Sequence, residues 1–388
     1  MDSFPIGAGI TLQQLDADPH PELARLRRTE PVSWLPSLGG WLVARHDLVL
    51  TAMRDATTFT VDDPRFSTAQ VLGPSMLSLD GAAHARHRSP FVAPFRAAEV
   101  GERFSQASAA EAERLADCLA PAGSADLRRT FAGPLAAAIV TRALGLGAGE
   151  VDEVLAAYEA IVASVTAITA GDGATAAGTA AYASLAARLR TVVEGADRTS
   201  LLAAAATRKS LTTEQIISNA AVLLFGGIET TEGMIANAVL HLLSHAPWLA
   251  WLRDDPARLD ATIDESLRLE PAAAVVDRYA TSDAQLGGAT IARGDLVRLS
   301  ISAANRDPDV FADPDTFDPT RTNLRRHVAF AQGPHVCVGV HLARLEARAA
   351  LSMLLRRLPR LRLDPSRPAA EVRGLVFRKP QSLHVRWD

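Results

Sequence analysis

Lysine is almost missing from this chain: of 40 basic residues only Lys209 and Lys379 are lysines, the rest being arginine. Cysteine is as scarce. Cys118 and Cys337 cannot build a disulfide framework, so the fold has to be held by its core, and a lone pair suits two free thiols in a reducing compartment. No charge of one sign dominates either. Forty Lys and Arg against 44 Asp and Glu leave a formal charge of −4, which argues against a protein that tracks nucleic-acid phosphates. Long apolar runs are absent as well. The best candidate, Ala220 to Ile228, is stopped by Glu229, far short of the roughly 18 residues a membrane span needs. The first residues carry no basic stretch followed by an apolar one. The expectation is a cytoplasmic protein without signal peptide, membrane anchor or lipidation.

What is present is an ordinary globular balance, 48% apolar and 22% charged over 388 residues. That length leaves open two or three domains or one large fold. Ala, Leu, Arg and Glu recur at helical spacing near 92–120, 130–165, 176–206, 213–245 and 256–270, predicting helices there. Strand patterns are confined to Val32–Leu35 and Gly40–Ala44, which look like a hairpin, and to late segments near Leu286–Leu299 and Val376–Trp387. The fold class is therefore mainly α with a small β part. No internal repeat or linker divides the chain. Ala170 to Thr179 lacks large side chains and suggests a loop between helices. Gly171, Gly173 and Ala176 in it match a dinucleotide fingerprint by letter, but helical patterns flank them and no βαβ unit does.

Three segments hold chemistry. The first is the helix predicted over Thr212–His245, with Thr212 and Gln215 spaced as a capping box and Pro247 beyond its end. Gly226, Gly227, Glu229, Thr230 and Thr231 stand in its middle. Two glycines cost a helix about 1 kcal/mol each, so they suggest a gap where a ligand approaches the backbone, with a hydroxyl beside a carboxylate able to pass protons; a packing notch is the plainer explanation. The second is Pro256–Pro271, a helix with Glu265 and Arg268 one turn apart. The third runs from Val328 to Ala350, where a loop presents Cys337 and turns into a helix at about Val340. Amides at a helix start lower a thiol's pKa and favour thiolate. With His335 and His341 nearby, the sulfur suits a nucleophile, a zinc ligand or an axial haem ligand; zinc would want three or four protein ligands, and no second cysteine cluster supplies them.

Together and in this order, these segments resemble the cytochrome P450 family. Its cysteine loop, Phe-Gly-x-Gly-x-His-x-Cys-x-Gly, is similar to Phe330, Ala331, Gly333, His335, Cys337 and Gly339. Its Glu-x-x-Arg helix matches Glu265 and Arg268. Its Gly-Gly-x-Asp/Glu-Thr-Thr groove matches Gly226, Gly227, Glu229, Thr230 and Thr231. Asp80, His84 and Arg88 resemble the HxxxR helix, Arg278 a haem-contacting arginine, and Asn305–Asp307 with Phe317–Arg321 the segments leading into the cysteine loop. The likeness spans roughly residues 60 to 388. Ala331 departs from the pattern, and a Cβ there is expected to shift the loop slightly.

The resemblance implies one haem-centred domain over 1–388, with β-rich portions near 30–60, 286–300 and 372–388 and helical bulk at 80–270 and 340–358. It implies haem b on the Cys337 thiolate, the family's only iron ligand from the chain. Cofactor contacts would come from His84, Arg88, Gly226, Gly227, Arg278, Phe330, Gly333, His335 and Gly339, with His84, Arg88, Arg278 and His335 at the propionates. Thr230 would steady reduced oxygen while Glu229 relays protons. Glu265, Arg268 and Arg321 would form a buried structural network behind the loop. Substrate would be a largely apolar small molecule against Val71, Leu72, Met76, Leu77, Val222, Leu223, Ala273, Ala274, Val275, Val276 and Val376, hydroxylated or epoxidised with O2. Electrons would come from a separate ferredoxin and its reductase, docking on Arg86, Arg96, Arg344 and Arg348. A peroxide-driven or oxidative-coupling enzyme on the same fold, and a non-catalytic haem sensor, are the alternatives.

Overall fold

The computed structural model describes residues 4–169, 172–195, 200–208 and 210–388. Ala170 and Gly171 of the small-residue loop, and Lys209, lie outside them. The centre of the fold is a helix over Thr213–Ser244, which at 1.5 Å per residue is about 48 Å long. Its start is the expected capping box: Gln215 N–H donates to Thr212 Oγ1 at 3.3 Å and Thr212 N–H to Gln215 Oε1 at 3.1 Å. Pro247 does not follow an irregular stop but sits in the first turn of the next helix, Ala246–Asp254, where its missing N–H costs nothing. Apolar residues lie on nearly every side of the central helix, the pattern of a helix surrounded by others.

Around it pack helices Gly133–Leu144, Val151–Thr169, Ala176–Glu194, Leu259–Leu269 and Val340–Arg357. The predicted 130–165 stretch is two helices, because Gly145 ends the first with φ +86, a left-handed angle that glycine takes without strain. Two apolar cores result. One joins the far half of the central helix to Ala97–Leu119 and Val340–Arg357; the other joins its first half to Ser67–Leu72, Val151–Thr169 and Ala176–Glu194. Each fully buried Leu, Ile or Phe in them contributes about 1.5–3 kcal/mol.

The β part is a five-stranded sheet in the order Val32–Leu35, Gly40–Val43, Leu296–Ser300, Val275–Ala280, Phe59–Thr60. The N-terminal hairpin is as expected, with Trp34 opposite Trp41. The hairpin's second strand runs parallel to Leu296–Ser300, and Gly40 permits this, since a Cβ there would stand 2.9 Å from Leu296 Cβ. Val275–Ala280, which carries Arg278, was not among the predicted strands. No described helix is long and apolar enough to cross a membrane.

Candidate functional site

The cysteine loop is closed by its own backbone: Cys337 N–H donates to Phe330 O at 2.8 Å and Val336 N–H to Gly333 O at 3.2 Å. Ala331 does not shift it. Its φ is +56, so the chain keeps the left-handed angle of a glycine and the Cβ is borne as strain on the order of 1 kcal/mol. Gly333 has a packing duty in the loop. Its φ is +75 and a Cβ there would meet Met53 O at 2.6 Å, so this glycine lets the loop press on the His46–Arg54 helix. Gly339 lies on the other side of the cysteine, where a Cβ would stand 3.9 Å from Cys337 Sγ. The thiol is not pulled down as its place before a helix suggests. Burial within the surrounding protein pushes it up, against the Gly339 amide and the Arg88 charge, although some of Cys337 remains exposed. Among the described residues no group of three His, Cys, Asp or Glu side chains could hold a metal ion, which removes the zinc reading.

Nitrogen donors with few partners gather beside this loop. Arg278 is 3% exposed, yet its guanidinium donates only to the Asp277 carbonyl at 2.8 Å and pairs with no carboxylate among the described residues. Burial lowers it to about 10 despite Asp80 and Asp277 nearby. His84 is buried with Nε2 lacking any partner, and burial, then His335 and Arg88, hold its imidazole down at about 4. Arg88 donates to the Val336 carbonyl in the loop itself. His335 has a protein partner: its Nε2 meets Asp80 Oδ1 at 2.8 Å while its ring lies 4.4 Å from that of His84. Three donors poor in partners, converging beside a thiol, fit a ligand that brings its own carboxylates.

In the central helix the two glycines do different work. A Cβ on Gly226 would meet nothing within 4 Å, whereas one on Gly227 would stand 3.0 Å from Val140 Cγ2. Gly227 is therefore a packing notch for Gly133–Leu144, and only Gly226 leaves room. Thr230 Oγ1 donates to Gly226 O at 2.7 Å, setting its hydroxyl at that opening. Val71, Leu72, Met76, Leu77, Val222 and Leu223 fall in one apolar cluster with Phe225, Val338 of the cysteine loop and Phe377. The strand residues are divided. Ala273 pairs with Phe377 and Ala274 N–H donates to Val376 O at 2.9 Å, but Ala274 and Val275 border a small hollow against Leu15, Leu42 and Arg378, and Val276 packs into the sheet core.

The surroundings of Glu229 escaped the sequence reading. Its carboxylate does not face Thr230; Lys379 Nζ lies 2.8 Å from Oε1 and the Tyr158 hydroxyl donates to Oε2. The same ammonium reaches Glu232 Oε2 and lies 3.5 Å from the Tyr158 hydroxyl oxygen, and Arg128 Nε stands 3.1 Å from Glu232 Oε1. Gly233 lets this happen, since a Cβ there would lie 2.9 Å from Ala272 Cβ and 3.5 Å from Lys379 Cβ. Burial pushes the Glu229 carboxyl up, with Lys379 opposing it. A signal was present: two acids one turn apart in an apolar helix require a buried cation, and lysines are few.

Glu265 and Arg268 are both wholly buried and joined twice, at 2.6 and 2.8 Å. Arg268 also donates to the carbonyls of Asn305, Pro314 and Thr316, and Arg321 Nε reaches Glu265 Oε1 at 3.2 Å. Two of the proposed docking arginines are already paired, Arg344 with Asp264 and Arg348 with Asp260, while Arg86 turns to Gln215 at 3.0 Å.

The family model for cytochrome P450 matches residues 257–382. The chain is 34% identical to cytochrome P450 107B1 of Saccharopolyspora erythraea over 90% of each protein, and 33% identical to nocardicin C N-oxygenase of Nocardia uniformis over 99% of this chain and 98% of that one. The chain belongs to the cytochrome P450 family. The crystal structure of the P450 CalO2 superposes with a TM-score of 0.87 at 30% identity, covering 97% of this chain and 98% of that one. As a cytochrome P450 the protein is a haem-dependent oxidoreductase of the monooxygenase class, and the unpaired Arg278, the unpartnered His84 nitrogen and the opening at Gly226 are the features of this chain that suit a haem.

Proposed function

We propose that this P450 binds haem b through the Cys337 thiolate and oxygenates a largely apolar small molecule, by hydroxylation or epoxidation, with electrons from a separate ferredoxin and ferredoxin reductase. The buried Arg278, without a carboxylate of its own beside the cysteine loop, carries this reading. Arg278, Arg88 and His84 would hold the two propionates by charge-assisted hydrogen bonds. Cys337 would hold the iron, whose charge would favour the thiolate over the thiol that burial otherwise favours. When bound, the haem supplies dioxygen reduction and oxygen-atom transfer.

The chain's own residues provide the rest. The opening above Gly226 admits oxygen, the Thr230 hydroxyl orients it, and the Glu229 carboxyl, its proton affinity raised by burial against the opposing charge of Lys379, returns protons to that hydroxyl. The Val71, Met76, Val222 and Phe377 cluster excludes water and seats an apolar substrate. Relatives named mycinamicin IV hydroxylase/epoxidase and vitamin D(3) 25-hydroxylase, 33% and 30% identical, support a bulky apolar substrate. Because the His84 helix, the Arg278 strand and the Cys337 loop all serve one group, residues 1–388 act as a single haem-centred unit. For the ferredoxin, the pairing of Arg344 and Arg348 moves the expected basic contact toward Arg96 and the face near the cysteine loop. The reduced, carbon-monoxide-bound spectrum tests the assignment: wild type is expected to show the thiolate-shifted Soret band and Cys337→Ala to lose it. Its absence from wild type would sink the proposal.

A further inference from the structure

The Glu229 cluster holds more than a proton carrier. We propose that Lys379 is a positioning residue for Glu229, and that Glu232 is a second seat for the lysine, so that the ammonium keeps a carboxylate partner when Glu229 is released. This rests on the relay role given to Glu229 above. An ammonium has three N–H donors, and Lys379 faces three acceptors: Glu229 Oε1 at 2.8 Å, Glu232 Oε2, and the Tyr158 hydroxyl oxygen at 3.5 Å. The Lys379 side chain is 10% exposed, and those of Glu229 and Glu232 are 4% and 7% exposed, so solvent replaces none of these partners.

Glu229 adjoins Thr230 in sequence, but its carboxylate points into this cluster while the Thr230 hydroxyl is turned to Gly226 O. To serve Thr230, Glu229 must let go of Lys379. An ammonium left alone at this depth would be costly. Here it keeps Glu232, whose other oxygen is held by Arg128 at 3.1 Å. Two carboxylates and two cations balance while Glu229 is ionised; when Glu229 leaves as the acid, Glu232 alone faces Lys379 and Arg128 and the cluster carries one more positive charge, shared by two cations around one carboxylate. The charged and titratable groups facing Glu229 are Lys379 from the C-terminal strand, Glu232 on its own helix, Tyr158 from Val151–Thr169 and Arg128 from the turn before Gly133. Lys379 lowers the Glu229 carboxyl and Glu232 raises it, so removing each should move Glu229 in opposite directions.

The test uses haem-loaded protein whose carbon-monoxide spectrum is intact, with Lys379→Met, Lys379→Arg, Glu232→Gln and Glu229→Gln. Without turnover, pH-difference infrared spectra read the Glu229 carboxyl band, identified by its loss in Glu229→Gln. Lys379→Met should raise the pH of its deprotonation by about one unit, tenfold in proton affinity. Glu232→Gln should lower it, and Lys379→Arg should restore it. In turnover, both Lys379→Met and Glu232→Gln should divert more reducing equivalents to hydrogen peroxide and change the solvent isotope effect. Infrared titrations of Lys379→Met and Glu232→Gln that coincide with wild type would overturn the positioning role. Peroxide leak unchanged in Glu229→Gln would instead overturn the relay. A leak raised in Glu229→Gln but unmoved in both other variants would remove the positioning role alone.

Discussion

Two buried ionic clusters, one on the Leu259–Leu269 helix and one on the central helix, are built on opposite logic. Around Glu265 and Arg268 every acceptor and donor has a fixed partner, three of them backbone carbonyls from the segment leading to the cysteine loop. Around Lys379 the partners are side chains, and two carboxylates share one ammonium. Backbone partners cannot rotate away, so the first cluster has one arrangement. Side-chain partners can be exchanged, so the second can take more than one arrangement. Burial is similar in both; the kind of partner separates a strut from a switch.

The largest expected effect comes from breaking the strut. Arg268→Leu leaves Glu265 with Arg321 as its remaining cation and takes the guanidinium donor from the Asn305 and Pro314 carbonyls, and should cost about 3–5 kcal/mol, read as a collapse of the thermal midpoint and of haem retention. Lys379→Met should cost less than half of that, because Glu229 can take up a proton in place of its lost partner. Equal losses in the two variants would erase the distinction.

Acid offers an intermediate probe of the rigid side. His241 meets Ser266 Oγ at 2.9 Å and Phe317 at 5.2 Å between ring centres, and burial, reinforced by nearby Arg306, His245 and Arg268 against Glu270, holds it down at about 3. The unfolded imidazole titrates near 6.5, so below that pH the unfolded chain binds a proton that the native one refuses. Stability should fall on the order of 2 kcal/mol between pH 6.5 and 4.5, and His241→Phe should flatten that limb of a urea-denaturation series. Glu270 adds a loss at lower pH: burial alone would raise its carboxyl, but His20, Arg378 and Arg306 bring it down to about 2, so its contribution is full above about 4.5 and disappears toward 2. A slope that survives unchanged in His241→Phe would assign acid sensitivity elsewhere. The smallest effect lies in the loop that the strut supports. Ala331→Gly should raise stability by about 0.5–1 kcal/mol by removing the Cβ from a φ of +56; a loss would show that the Ala331 methyl packs better than its strain costs.

Much of the architecture was legible because it is written locally. The central helix announces itself through Thr212 and Gln215 and was placed within a residue at each end, and the cysteine loop turns into its helix at Val340 as the spacing suggested. The departures come from contacts distant in sequence. Val275–Ala280 is a strand because both neighbours are strands, not because its letters alternate. Gly226 and Gly227 look alike on paper; Val140, far back in the chain, gives one of them a different task. Tyr158 and Lys379 reach Glu229 from 71 and 150 residues away, and no periodicity carries such pairings.

The strand pairing that seats Lys379 has a consequence for how the molecule comes into being. Arg378 beside it donates to the carbonyls of Leu15 and Asp16, across more than 360 residues, and its guanidinium pairs with Glu270 at 2.8 Å. Ring closures of that length are slow to find. During synthesis the central helix therefore emerges and packs long before Lys379 arrives, with Glu232 able to pair with Arg128 but Glu229 having to stay protonated or stay wet until the last strands dock. Nascent chains should thus complete their core in two stages, with the electrostatic one governed by the pH of their surroundings and by how long the ribosome takes to deliver one lysine.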